Sequence, residues 1–129
     1  MDRAQIDNTY DDPVILSVDL YRRDRDGVID TGAKVSVGSA EQRAIDSEDE
    51  PLFSKIAAEV ERCVWTLCVP TFSTSNESFS PMSVNVETGW LLKESSGKEW
   101  LIVRPVRKSV GMSWRCPAVE CLGEYQVKP

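Results

Sequence analysis

PLFSKIAAEVERCVWTLCV, residues 51–69, is the stretch on which the reading of this chain turns. On a helix advancing about 100° per residue, Leu52, Phe53, Ile56, Ala57, Val60, Cys63, Val64 and Leu67 share one arc, and Lys55, Glu59, Arg62 and Thr66 share the other. That is the pattern of an amphipathic helix laid on a sheet. Asp49 or Glu50 followed by Pro51 makes a good start, a capping or dipole-favoured carboxylate with proline in the first turn, and Pro70 closes the segment. Trp65 fits badly, because a helix puts it on the polar face. The competing reading stops the helix near Arg62 and makes residues 63–69 a short buried strand with Cys63, Trp65 and Leu67 on one side. The unbroken apolar arc favours a helix to about residue 66.

Strands are expected on both sides of it. Val14, Leu16, Val18 and Leu20 alternate with Ile15, Ser17, Asp19 and Tyr21, a strand with one wet face. Asp26-Gly27 is a hairpin signal, since glycine takes the positive φ of a tight turn. Val28 to Val37 then returns antiparallel, with Gly32 as a bulge and Ala33, Val35 and Val37 facing inward. The polar run SAEQRAIDSEDE reads as a loop. Residues 71–83 hold seven Ser or Thr in thirteen positions and read as a surface loop. Met82, Val84 and Val86 alternate into another strand that continues through Gly89 to Trp90-Leu91-Leu92. After a turn at Ser95-Ser96-Gly97-Lys98, Glu99 to Val106 is the most apolar strand and so central. A turn at Gly111, a break at Pro117 and a last strand from Gly123 to Val127 complete the chain. The expected fold is α+β: a mainly antiparallel sheet in the order β-β-α-β-β-β with one long helix on one face.

A length of 129 residues fits one domain, here residues 14–129 behind an acidic arm over residues 1–13. The net charge of −6 is uneven: residues 1–50 carry 13 acidic and 6 basic side chains, net −7, and residues 51–129 carry 8 and 9, net +1. An acidic surface repels nucleic acid and steers a basic protein toward it. The opening MDRAQIDNTYDD is the opposite of a signal peptide, and no apolar run reaches the ~18 residues of a membrane span. The expectation is therefore cytoplasmic, with no membrane partner.

Histidine is absent, which removes His triads and the usual general base near neutral pH. Cys63 and Cys68, with Cys116 and Cys121, form two C-x4-C pairs. Four thiolates could hold one zinc, but structural zinc sites mostly use tighter pairs on turns, a helix sets Cys63 and Cys68 about 140° apart, and small core residues are the plainer reading; no cofactor is expected. Asp24-Arg25-Asp26-Gly27 imitates part of a calcium loop but puts Arg22 and Ala33 where ligands belong, so a hairpin turn is the better account. No phosphate-binding glycine loop or nucleophile elbow is present.

These observations favour a non-catalytic protein-binding domain, such as a small acidic inhibitor, immunity-type or accessory protein. Asp24, Asp26, Asp46, Glu48, Asp49 and Glu50 are its candidate contacts to a basic partner, with Trp65 as an exposed aromatic anchor. Arg104, Arg107, Lys108 and Arg115, near Trp100 and Trp114, are candidate anion contacts. The alternative is a structural subunit of a viral or phage particle that pairs with copies of itself and resides in the virion. A small enzyme using carboxylates is the third reading, and it requires a pocket lined by them.

Overall fold

The computed structural model describes residues 14–24, 26–45, 47, 50–53, 60–75, 79–123 and 126–127. The arm expected over residues 1–13 lies outside them. Among the described residues there are nine strands: β1 (Val14–Arg23), β2 (Val28–Arg43), β3 (Arg62–Cys68), β4 (Phe72–Ser73), β5 (Leu91–Glu94), β6 (Glu99–Ile102), β7 (Val106–Lys108), β8 (Ser113–Cys121) and β9 (Gln126–Val127). Single 3-10 turns occupy Glu50–Phe53, Val69–Thr71 and Pro81–Ser83. Among these residues no helix is long and apolar enough to cross a membrane.

Six strands close a barrel. The meander β1-β2-β3 and the meander β5-β6-β8 are joined at both edges, β3 to β8 and β1 to β5, and every one of these pairings is antiparallel. This overturns the expected α+β fold with its long helix. Glu50–Phe53 is one 3-10 turn, Val60 lies in a bend, and Arg62–Cys68 is a barrel strand; residues 54–59 lie outside the described set. The cause is that Val60, Cys63, Val64 and Leu67 satisfy two periods at once. A strand apolar on both faces fills the same positions as a helical arc. In β3, Cys63, Trp65 and Leu67 point inward and Val64 is buried on the outer pleat. Two neighbours with free edges, β2 and β8, decide the matter, and Trp65 moves from an awkward surface position to the centre of the core.

Two further expectations fail for local reasons. Ser39 to Arg43 belongs to β2, not to a loop, because a register shift opposite Leu16 and Val18 bends the strand at Gly38 and turns its far end onto β3. Thr71 holds the bend: its Oγ1 accepts the Ser39 N–H at 3.1 Å and donates to the Cys68 carbonyl at 2.7 Å. Pro117 does not break the chain but lies inside β8. Its carbonyl accepts the Val103 N–H at 2.8 Å, so its missing N–H faces the same edge, where β6 has ended and β7 has not begun. Met82 to Val86 is a 3-10 turn and an extended segment instead of a strand, although Val84 and Val86 are buried as their alternation requires.

Other local signals hold. Gly27 has φ +82° in the Asp26-Gly27 turn, and the second register shift in β1–β2 skips residues 31–33, around Gly32. β6 lies between β5 and β8 and is interior to the sheet. The barrel is filled by Val18, Leu20, Val35, Val37, Leu67, Leu92 and Ile102 together with all four tryptophans. A second cluster joins Ile29, Leu91 and Cys121 with Tyr21 and Leu101; Tyr21, Leu91 and Leu101 are successive cross-strand neighbours on the outer pleat.

Replacing Leu67 by alanine leaves a void between β2 and β8 and is expected to cost about 2–5 kcal/mol in urea unfolding, whereas Val14→Ala at the exposed start of β1 changes stability by no more than about 0.5 kcal/mol.

Candidate functional site

The acidic candidates divide between structural duty and exposure. Asp24 builds the β1–β2 hairpin: its Oδ1 accepts the backbone N–H of Asp26 and of Val28, each at 2.9 Å. This is an Asx turn, and it accounts for the resemblance to a calcium loop. Asp26 is exposed at the tip. Glu50 pairs with Arg62 at 3.6 Å, and that guanidinium lies 5.4 Å from the centre of the Phe53 ring. Asp46, Glu48 and Asp49 lie outside the described residues. Trp65 is 0% exposed, so it is a core residue and not a surface anchor.

The cysteines are free, and strand register separates them. Cys63 and Cys116 point into the barrel, opposite Ala118 and Trp65 respectively, while Cys68 and Cys121 occupy the outer pleat opposite Ser113 and Glu99. The four sulfurs therefore do not converge on one ion, and among the described residues no group of three His, Cys, Asp or Glu is placed to hold a metal. Burial pushes the Cys63 thiol up to about 12, against the opposing hydrogen bond that the Gln42 amide donates to its sulfur at 3.7 Å. Burial also raises Cys116. Both are thiols at neutral pH and poor nucleophiles.

The basic candidates are gathered around one hairpin. Lys108 and Arg107 lie on β7, Arg115 on β8 faces Val106, and Arg104 precedes the hairpin at Pro105. Arg107 fastens it: its guanidinium lies 5.5 Å from the Trp114 ring centre, Nε donates to the Gly111 carbonyl at 3.2 Å and Nη2 to the Met82 carbonyl at 2.9 Å. At the tip the chain passes through three consecutive left-handed residues, Ser109 at φ 56°, Val110 at 55° and Gly111 at 84°. The Gly111 N–H donates to the Lys108 carbonyl at 3.1 Å and the Met112 N–H to the Ser109 carbonyl at 3.1 Å. Val110 is 99% exposed, and the side chains of Val106, Met82 and Met112 are also exposed. The product is an apolar knob rimmed by cations. Sequence reasoning found the cations and missed the knob, whose one signal was Gly111 one residue after a valine.

Two recesses lie among the described residues. One of about 300 Å³ is lined by hydroxyls, including Ser17, Ser36 and Thr71, with Asp19 and Lys93 directly opposed on β1 and β5. Ser36 donates to Asp19 Oδ1 at 3.0 Å, and Ser17 to the Gly38 carbonyl at 3.2 Å. The other, of about 230 Å³, lies between Arg22, Arg23, Ser83, Asn85, Glu87 and Trp90. Neither recess contains two carboxylates.

Alkylation at pH 8 is expected to modify half-buried Cys68 in the native protein and Cys63 and Cys116 only after unfolding, read by mass spectrometry. The Cys63 thiol ionises near 9.0 when exposed and near 12 in the fold. Its contribution to stability is complete below pH 9 and drains away as pH rises toward 12, by up to about 1.4 kcal/mol per pH unit, a slope that Cys63→Ala reduces in alkaline unfolding curves. Set against known protein families, curated proteins and solved structures, the chain finds no match.

Proposed function

We propose that this chain is a non-catalytic protein-binding domain that docks through the tip of its β7–β8 hairpin. The observation that carries the reading is Val110, a β-branched residue held at φ 55° with 99% of its surface exposed. The left-handed conformation costs an L-residue about 1–2 kcal/mol, more readily borne by glycine or asparagine. Strain of that kind concentrates where a side chain is needed for recognition. Arg107 pins the tip to the Pro81–Ser83 turn and so presents Val110 and Met112 from a rigid base. Rigid apolar anchors bind with little loss of conformational entropy.

The partner's chemistry follows from this surface and not from the net charge of the chain. Lys108 adjoins the tip and Arg107 is fastened beneath it, so the complementary site is an apolar pocket with an acidic rim. Assembly with copies of itself has a specific observation in its favour: Val14 and Ile15 are exposed on a barrel strand, and the N-terminal half supplies acidic side chains.

Val110→Gly separates binding from folding. It is expected to raise stability by about 1 kcal/mol by relieving the left-handed valine, and to weaken partner binding by about tenfold or more. Lys108→Glu is expected to weaken the same interaction chiefly through association rate, in a salt-dependent way. The wild-type chain is used to capture a partner from its native host, and the two variants are compared by surface plasmon resonance. Binding that both variants retain at full strength overturns the proposal, and sedimentation that gives a concentration-dependent mass abolished by Val110→Gly identifies the partner as a second copy.

A further inference from the structure

We propose that the recess at the end of β1, between Arg22, Arg23 and the segment 83–90, binds a phosphate-type oxyanion carried on a small hydroxylated ligand. Two cations from consecutive residues line one concavity of about 230 Å³. Among the described residues no carboxylate lies within ion-pair distance of either. Asp30, the cross-strand neighbour of Arg22, directs its Oδ1 to the Gly32 N–H at 3.0 Å. Two guanidiniums that line one recess, with no carboxylate in ion-pair distance among the described residues, raise its positive potential, and an oxyanion bound there offsets it.

Both arginines are held in place by uncharged contacts. Arg22 Cζ lies over the Trp90 ring, 5.7 Å from its centre, a cation–π contact that uses none of its N–H donors. Arg23 is seated between two left-handed glycines. Its Nε donates to the Gly27 carbonyl at 3.1 Å, which fixes the plane and leaves Nη1 and Nη2 as donors. A Cβ on Gly27, φ +82°, would sit 3.5 Å from Nη2; one on Gly89, φ +92°, would sit 3.0 Å from Nη1 and 3.1 Å from Cδ. A side chain at Gly89 would press on the Arg23 side chain, whereas one at Gly27 would only touch it, so the Gly89 turn is the one that gives this arginine its room. Orientation without neutralisation suits a cation meant for an external anion.

The other lining residues narrow the ligand. Asn85 supplies an amide. Ser83 donates its own proton to the Ser80 carbonyl at 2.6 Å and so offers the ligand an acceptor. Glu87 opposes a bare anion and accepts a hydrogen bond from a hydroxyl beside it. A phosphomonoester with an adjoining hydroxyl meets all of these groups, and free phosphate meets only the cations.

The test is titration of the full chain with inorganic phosphate and with glycerol 3-phosphate, followed by NMR at the Gly27 and Gly89 amides and the Trp90 indole. Phosphate is expected to saturate in about the millimolar range and glycerol 3-phosphate to bind at least about fivefold tighter. Arg22→Gln and Arg23→Gln each weaken both by about tenfold, and Arg23→Lys, which keeps charge and packing but loses the fork, weakens them by about fivefold. Glu87→Gln strengthens phosphate binding and abolishes the preference for the ester. Lack of saturation with either probe, or affinities unchanged in both glutamine variants of well-folded protein, overturns the site; equal affinity for the two probes overturns the hydroxylated ligand. Val110→Gly leaves both titrations unchanged, so this result is independent of the docking hairpin.

Discussion

Inside the barrel the Trp65 and Trp100 rings meet edge to face, with centroids 6.4 Å apart and planes at 71°. Trp65 belongs to the first meander and Trp100 to the second, so this contact ties the two halves across the interior as β3–β8 and β1–β5 tie them along the wall. Such pairs contribute about 0.5–1.5 kcal/mol beyond the area they bury. The Trp100 indole donates to Glu94 Oε2 at 2.7 Å, and Lys98 lies 4.9 Å from its ring centre while bridging to Glu61 at 2.9 Å. That hydrogen bond to Glu61 holds the Lys98 ammonium above its usual range. One end of the core is thus fixed by a polar collar. The indole N–H groups of Trp65 and Trp114 find no acceptor among the described residues; ring contacts with Trp100 and Arg107, not hydrogen bonds, orient them.

Where local chemistry has one solution, sequence and structure agree. Asp26-Gly27 demands a tight turn, the alternation of Val18 and Leu20 demands one wet face, and Trp100-Leu101-Ile102 demands an interior strand. Residues 51–69 have two solutions, and the difference between them is made by β2 and β8, which lie far away in sequence. Ser39 to Arg43 is polar enough for a loop because its outer side chains are wet. Pro117 is tolerated only because two different strands, β6 and β7, pair with β8 on either side of it, an arrangement no local window reveals.

The functional surfaces follow the same division. Charge counting located Arg107, Lys108 and Arg115 but assigned Arg22 and Arg23 to an acidic half, because net charge averages over side chains that the fold sends to different places. Asp24 and Glu50 are occupied by a turn and an arginine, while the two cations beside Trp90 have no carboxylate partner among the described residues. A left-handed valine is invisible to propensity, which describes what residues prefer and not what a hairpin imposes on them.

β2 runs for 16 residues and pairs with β1, β3, β4 and β9 in turn, and the wall between β3 and β6 is supplied by β8 at residues 113–121. A chain emerging from the ribosome can form the first meander early, but that meander keeps two raw edges until the second has been synthesised. Pairings between partners so distant in sequence form slowly. For that interval β1 and β3 present unprotected backbone, so nascent copies on one messenger are at risk of pairing with each other before any one of them closes.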